Sequence, residues 1–192
     1  PLNAIIGYSE IIEEEAIESG HQNTVQDVSK VQAAARHLLY VISEILALSK
    51  IEAGQMLDFP EKLDIKHLMV DIISIIKPMV EATNNVFKYN CTDGNATINT
   101  DFVKLRQILL NLLSNAAKFC HNGKISLNIS LFDNTLNVLV SDTGIGLSAH
   151  QISLLYKPFV QADESTTRKY GGTGLGLTIT KQFCEMLGGN LN

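Results

Sequence analysis

Asp101–Phe119 reads DFVKLRQILLNLLSNAAKF, and the way its polar and apolar residues divide sets the fold around it. Asp101 is a capping residue ahead of an apolar-periodic run, which predicts a helix reaching about Phe119. Leu105, Ile108, Leu109, Leu112 and Ala116 form a core stripe. The opposing stripe holds Gln107, Asn111, Asn115 and Lys118, the last three within roughly 60° of one another at helical pitch. Solvated helix faces favour Glu, Lys and Arg, which are better helix formers than Asn. Two Asn one turn apart beside a Lys can instead bind phosphate oxygens and offer a neutral oxygen to Mg²⁺, which keeps several of its own waters.

Downstream, Lys124–Leu131 and Thr135–Ser141 read as strands joined at Asp133-Asn134. Leu136, Val138, Val140 and Asp142 share strand parity, so Asp142 is expected on the apolar face, where a carboxylate needs strong hydrogen bonds. An acceptor for the exocyclic amine of adenine fits that position, with Gly144 and Gly146 letting backbone approach the base. Residues 171–177 read GGTGLGL. Glycines there, followed by a helix from about Thr173 to Leu187, offer free N–H groups to anions. The stretch lacks the Gly-Lys-Ser/Thr ending of a P-loop and the preceding parallel strand of a dinucleotide fingerprint. Gln161–Tyr170 is polar and is expected to be a mobile lid, with Phe159 as its hydrophobic anchor.

Upstream of Asp101, Val86–Asn90 is expected to be a strand and Asp93-Gly94 a turn. Leu68, Met69, Ile72, Ile76, Met79 and Val80 define the apolar face of a helix that Pro78 should kink or end. Residues 54–64 carry Phe59-Pro60 and read as an extended connector. Before it, residues 1–53 are helical throughout. Leu2, Ile5, Ile6 and Ile12 mark one face, and Glu10, Glu13, Glu14 and Glu15 its solvated side. Ser19-Gly20 ends the first helix, and Asn23-Thr24 are placed to cap the second. Val28, Ala35, Ile42 and Ser49, with Val31, Leu38, Ile45 and Glu52, then form a heptad seam, widened by Leu39 and Leu46. A lone hairpin buries little surface, so two such hairpins should pair into a four-helix bundle. The fold class is therefore an α-helical hairpin (1–53), a connector (54–64) and a two-layer α+β sandwich (65–192).

The 192 residues carry a net charge of −5, without the basic footprint of a nucleic-acid binder. No uninterrupted apolar run reaches the length of a membrane span, so no membrane contact by this segment is expected. Cys91, Cys120 and Cys184 are odd in number and lack metal-ligand spacing, which reads as reduced cytosolic thiols.

Taken together, these stretches resemble the histidine kinase family within the wider group of gyrase, chaperone and mismatch-repair ATPases, whose nucleotide-binding fold is the Bergerat type. DFVKLRQILLNLLSNAAKF is similar to the family's Asn-containing helix and SDTGIGL (141–147) to its adenine box. YKPFVQAD (156–163) is similar to its Phe box and GGTGLGLTI (171–179) to its phosphate box. PLNAIIGYSEII (1–12) resembles the tail of its His-Glu-x-x-x-Pro-Leu-x-x-Ile helix.

The resemblance implies that Asn115 is a magnesium ligand, with Asn111 its phosphate-side neighbour. Lys118 would approach the phosphates, Phe119 would wall the site and Asp142 would fix adenine in the loop shaped by Gly144 and Gly146. Gly174 and Gly176 would receive the phosphates from the lid side, where Arg168 would add charge, and Phe159, Gly172, Thr173, Leu175 and Leu177 complete the implied ATP-binding set. Cys120 departs from the Thr frequent after this Phe. The phosphoacceptor His would lie five residues before Pro1; His21, His37, His67, His121 and His150 lack its context and read as surface or packing residues. The implied activity is an ATP-dependent protein histidine kinase that passes phosphate from His to an Asp of a response-regulator receiver domain. It implies a homodimer, an upstream sensor domain and a cytoplasmic location for this part of the protein. A nucleotide-binding pseudokinase is the alternative, and a mechanical ATPase of the gyrase type is disfavoured by the hairpin.

Overall fold

The computed structural model describes residues 1–92, 94, 96–160 and 173–192. It divides into two compact units, Pro1–Gln55 and Met56–Asn192. The expected lid and the residue Asp93 of the expected turn lie outside the described residues.

In the first unit, helix α1 spans Leu2–Glu18 and helix α2 Gln22–Glu52. Gly20 takes φ +72° in the turn between them, and Gly54 takes φ +64° just after α2, the left-handed conformation that glycine adopts without a Cβ clash. The capping expected of Asn23-Thr24 is not what forms: α2 starts at Gln22 with His21 at the cap and no side-chain capping bond. Within a single hairpin the buried face includes Ala35 of the expected seam but not its other positions. Ser9 and Ala16 of α1 are buried, as are Gln32, Ala35, Glu44 and Leu48 of α2. Val31, Leu38, Ile42 and Ile45 remain 39–50% exposed, and Ile5 and Ile12 45%. The physical reason is polar pairing across the hairpin. Glu13, expected to be solvated, instead accepts from Ser29 Oγ (2.6 Å) and Gln32 Nε2 (2.8 Å), and Glu10 pairs with Arg36 at 3.0 Å. These bonds turn one face of α2 toward α1 and leave the heptad apolar residues outside. By length and composition α2 could cross a membrane, despite its polar residues.

In the second unit, strand β1 (Glu61–Asp64) falls inside the expected connector and pairs antiparallel with β3 (Thr97–Thr100), Leu63 opposite Ile98. Between them run helix α3 (Ile65–Ala82) and strand β2 (Val86–Cys91). Helix α4 (Phe102–Phe119) precedes strands β4 (Lys124–Phe132) and β5 (Thr135–Asp142). β2 is parallel to β4, and β4 antiparallel to β5, giving a mixed three-stranded sheet. A short helix α5 (Ala149–Leu154) and helix α6 (Gly176–Met186) complete the order.

Alternation on β4 sets the layers: Ile125, Leu127 and Ile129 are buried, while Ser126, Asn128 and Ser130 face the other side. The buried trio joins Leu68, Ile72, Ile76 and Val80 of α3 and Leu109, Leu113 and Ala117 of α4 in one core. Met79 is 42% exposed instead of joining that face. Pro78 lies inside α3 without ending it. Both Pro78 and Ser74, whose carbonyl loses its helical donor, are exposed, so that carbonyl is open to solvent while the buried face runs on.

Candidate nucleotide site

Three segments converge at the C-terminal half of α4. Asp101 caps the helix by accepting from Lys104 N at 3.0 Å, as its sequence position requires. With Leu105, Ile108, Leu109 and Leu113 turned into the core, Asn111, Asn115, Lys118 and Phe119 are left half-buried on the other side. Asn111 is committed within the protein. Its Nδ2 donates to Thr180 Oγ1 at 2.6 Å, and its Oδ1 accepts from Asn115 Nδ2 at 3.5 Å. Asn111 thereby braces α4 against α6. A Cβ on Gly176 would stand 2.6 Å from Asn111 Oδ1, so this approach requires glycine. Gly176 and Thr180, one turn apart, form the α6 half of the contact; Thr180 was missed in the sequence, though its spacing from Gly176 is a usable signal.

The 142–146 loop docks on the end of α4. Asp142 closes β5 opposite Ile125. Its side chain is exposed instead of buried on the apolar face, because the strand ends there and its Oδ1 accepts from Gly144 N at 2.8 Å. Ile145 N donates to the Phe119 carbonyl at 3.3 Å. A Cβ on Gly144 would lie 2.4 Å from that same oxygen, and Gly146 holds φ +66°. The Lys118 ammonium stands 4.9 Å from the centre of the Phe119 ring, and burial pulls it below the ordinary lysine range.

On the third side, Leu175 is fully buried, and Thr173, Gly174, Gly176 and Leu177 are half-buried. Gly174, at φ +72°, lies against the Phe159–Val160 backbone, where an added Cβ would come within 3.0 Å. Phe159 is not a hydrophobic anchor: its φ is +61° and it is 65% exposed. It is the Phe159 backbone, not its ring, that Gly174 approaches. Arg168 and Gly172 lie outside the described residues. All five histidines are exposed.

The donor set fits a hard, water-retaining cation. Among the described residues, no group of three or more His, Cys, Asp or Glu could hold a metal. A cation beside Asn115 would meet one amide oxygen and fill its remaining positions from phosphate and water, the coordination Mg²⁺ prefers.

The chain thus joins a helical hairpin to a two-layer α/β domain with an Asn-bearing helix, an Asp-x-Gly-x-Gly loop and a glycine-rich helix start, two modules of distinct class. Comparison with known proteins agrees on both parts. The family model for the histidine kinase-, DNA gyrase B- and HSP90-like ATPase matches residues 100–192, and that for the His Kinase A (phospho-acceptor) domain matches residues 1–54. The chain belongs to the histidine kinase family. It is 37% identical to the autoinducer 2 sensor kinase/phosphatase LuxQ of Vibrio parahaemolyticus, and 36% identical to the sensor protein GacS of Pseudomonas syringae. All of the chain aligns in each case, but it spans only 23% and 21% of those proteins. Among solved structures, full-length ShkA in complex with AMPPNP superposes with a TM-score of 0.78 at 26% identity, over 98% of this chain and 38% of that one. ThkA in complex with the response regulator TrrA shares the fold at a TM-score of 0.64 and 18% identity, over 96% of this chain and 52% of that one.

Proposed function

We propose that this chain is the kinase core of a longer sensor histidine kinase, with residues 65–192 holding ATP–Mg²⁺ and residues 1–53 forming the phosphotransfer hairpin. The observation that carries the reading is the convergence of Asn115, Lys118 and Phe119 with the Asp142–Gly146 loop and the Gly174–Leu177 helix start. In this reading Asp142 accepts from the adenine amine, and Gly144 and Gly146 keep side chains out of the base's path. Lys118 and the α6 N-terminus meet the phosphates, where backbone N–H groups and the helix dipole favour anions. Asn115 supplies one oxygen to Mg²⁺, which when bound neutralises charge on the phosphates. Asn111 keeps α4 and α6 at the separation that lets both act on one ligand. Catalysis is largely positioning, since phosphoryl transfer asks little covalent chemistry of the protein.

The acceptor is a histidine preceding Pro1 in the longer protein, and the phosphate passes on to a receiver-domain aspartate. The exposed residues Val31, Leu38, Ile42 and Ile45 support a homodimer through a four-helix bundle. The location is cytoplasmic, downstream of a sensor region that can be membrane-anchored. The test is radiolabelled ATP with the chain, with an N-terminally extended hairpin carrying His-Glu, and with both. Acid-labile, base-stable label on the extended hairpin in the mixture supports the kinase. Label on any of the five histidines within the chain overturns the placement of the acceptor. ATP binding without label in any combination favours the pseudokinase.

A further inference from the structure

Asn85, between α3 and β2, is 8% exposed and stands outside the nucleotide site. Its side-chain amide spans both ends of the turn that follows α4. Nδ2 donates to the Cys120 carbonyl and to Thr83 Oγ1, each at 2.7 Å, while Oδ1 accepts from Gly123 N at 2.8 Å. Backbone bonds reinforce the contact: Asn122 N donates to Thr83 O at 3.2 Å, and Val86 N to Gly123 O at 2.9 Å. Asn84 and Asn122 both adopt left-handed φ (53° and 51°), which Asn tolerates better than most side chains.

The opposite side of the same turn carries the proposed base-recognition loop. Lys124 N donates to Thr143 Oγ1 at 2.9 Å, and Thr143 N to Lys124 O at 3.1 Å. Cys120 Sγ lies 3.7 Å from Thr143 Oγ1. A Cβ on Gly123 would stand 2.5 Å from Thr143 Oγ1 and 2.6 Å from Cys120 Sγ, so the turn and the loop touch without slack. One residue earlier, the Phe119 carbonyl receives Ile145 N and limits Gly144.

We infer that Asn85 is a positioning residue for base recognition: it clamps the Cys120–Gly123 turn from behind, and that turn sets where Thr143, Gly144 and Asp142 present themselves to the base. The inference rests on the reading of Asp142 as the adenine acceptor. A buried amide that donates to one end of a turn and accepts from the other, while its second donor hydrogen is held by Thr83, fixes that turn's position, because leaving any of these partners unmatched is costly. No atom of Asn85 needs to meet the ligand.

The test is calorimetric binding of Mg-ADP and Mg-GDP to the full chain, with circular dichroism to verify folding. Asn85→Ala is expected to keep the fold, to lose about tenfold in ADP affinity, and to lose ADP-over-GDP preference by a similar factor. A purely structural role would lower the melting temperature and leave that preference as in the wild type; this result overturns the inference. If Asn85→Ala does not fold, Thr143→Val decides, since it removes the loop-side acceptor while keeping its shape. A folded Thr143→Val chain with wild-type preference equally overturns the inference, and loss of preference supports it. Asp142→Asn separates the two ideas. Wild-type affinity in Asp142→Asn beside a loss in Asn85→Ala would dismiss Asp142 as the adenine acceptor and keep the clamp. A wild-type chain that does not prefer ADP to GDP would remove both.

Discussion

Lys104→Met tests how the start of the second unit is held. Lys104 is 4% exposed, and its ammonium reaches Asp101 Oδ2 at 2.6 Å, Leu57 O at 2.8 Å and Asp58 Oδ1 at 2.9 Å. Asp101 is equally buried and also accepts from Phe59 N at 3.1 Å. Residues 57–59 are thus tied to the first turn of α4, at the edge of a cavity of about 610 Å³ lined by Phe59, Pro60, Phe102, Val103 and Phe183. At an effective dielectric of about 20, the 2.6 Å pair attracts by roughly 6 kcal/mol, most of it offset by desolvation. Removing one partner leaves a buried carboxylate, which costs about 3–5 kcal/mol. Asp101 keeps its two backbone donors, placing Lys104→Met toward the lower end. Hydrogen exchange resolves the two units: α4 amides should exchange two to three decades faster, and those of Pro1–Gln55 should be unchanged. Adding Asp101→Asn, which preserves the cap but removes the stranded charge, should recover part of the loss. A cost below about 1 kcal/mol, the size of a solvent-exposed ion pair, would refute the reasoning.

Acid should act on the same pair. Burial pushes the Asp101 carboxyl up, but bonds from the Lys104 ammonium, Lys104 N and Phe59 N outweigh it and hold it below the ordinary carboxylate range. Its contribution is therefore full above about pH 4 and is lost as pH falls through the depressed value, so Asp101→Asn should flatten the acid limb of stability; an unchanged slope by circular dichroism would count against it. Asp142→Asn should weaken ADP binding by about 1.5–3 kcal/mol, the value of a charge-assisted hydrogen bond, and unchanged calorimetric affinity would dismiss the assignment. Ile42→Glu, placed on the exposed apolar face of α2, should shift sedimentation from dimer to monomer while leaving nucleotide affinity as it was. A wild-type chain that sediments as a monomer at high concentration would remove that premise.

The parts legible in the sequence are those fixed by local periodicity. α4, β4 and β5 bury one stripe or one parity, so apolar spacing alone reveals them. β1 and β3 escape that reading because EKLD and TINT carry one core residue each, and their pairing spans more than thirty positions. α5 left a usable signal in Ser148 and Gln151, which form a capping box. The hairpin is legible only in part. Val31, Leu38, Ile42 and Ile45 of its heptads lie on the outer face of α2, Ala35 sits on the inner one with Gln32, and the burial of polar Gln32 depends on Glu13, far from it along the chain. The same holds at the candidate site. Asn111, Asn115 and Asp142 stand out by type and spacing, but Asn85 and Lys104 gain their meaning from Gly123, Cys120 and Leu57, which no local pattern connects to them.

The two connections flanking β4 should differ in how they tolerate a change of length. Asp133 and Asn134 turn β4 into β5 at one end of the sheet, both exposed and at positive φ. Residues 120–123 turn α4 into β4 at the other end, gripped by Asn85 on one side and Thr143 on the other. An inserted residue at 133–134 would lengthen a hairpin tip. The same insertion at 120–123 would slide the Asn-bearing helix out of register with the loop carrying Asp142. Among descendants of this sequence, gaps should therefore collect at the first turn and be purged at the second.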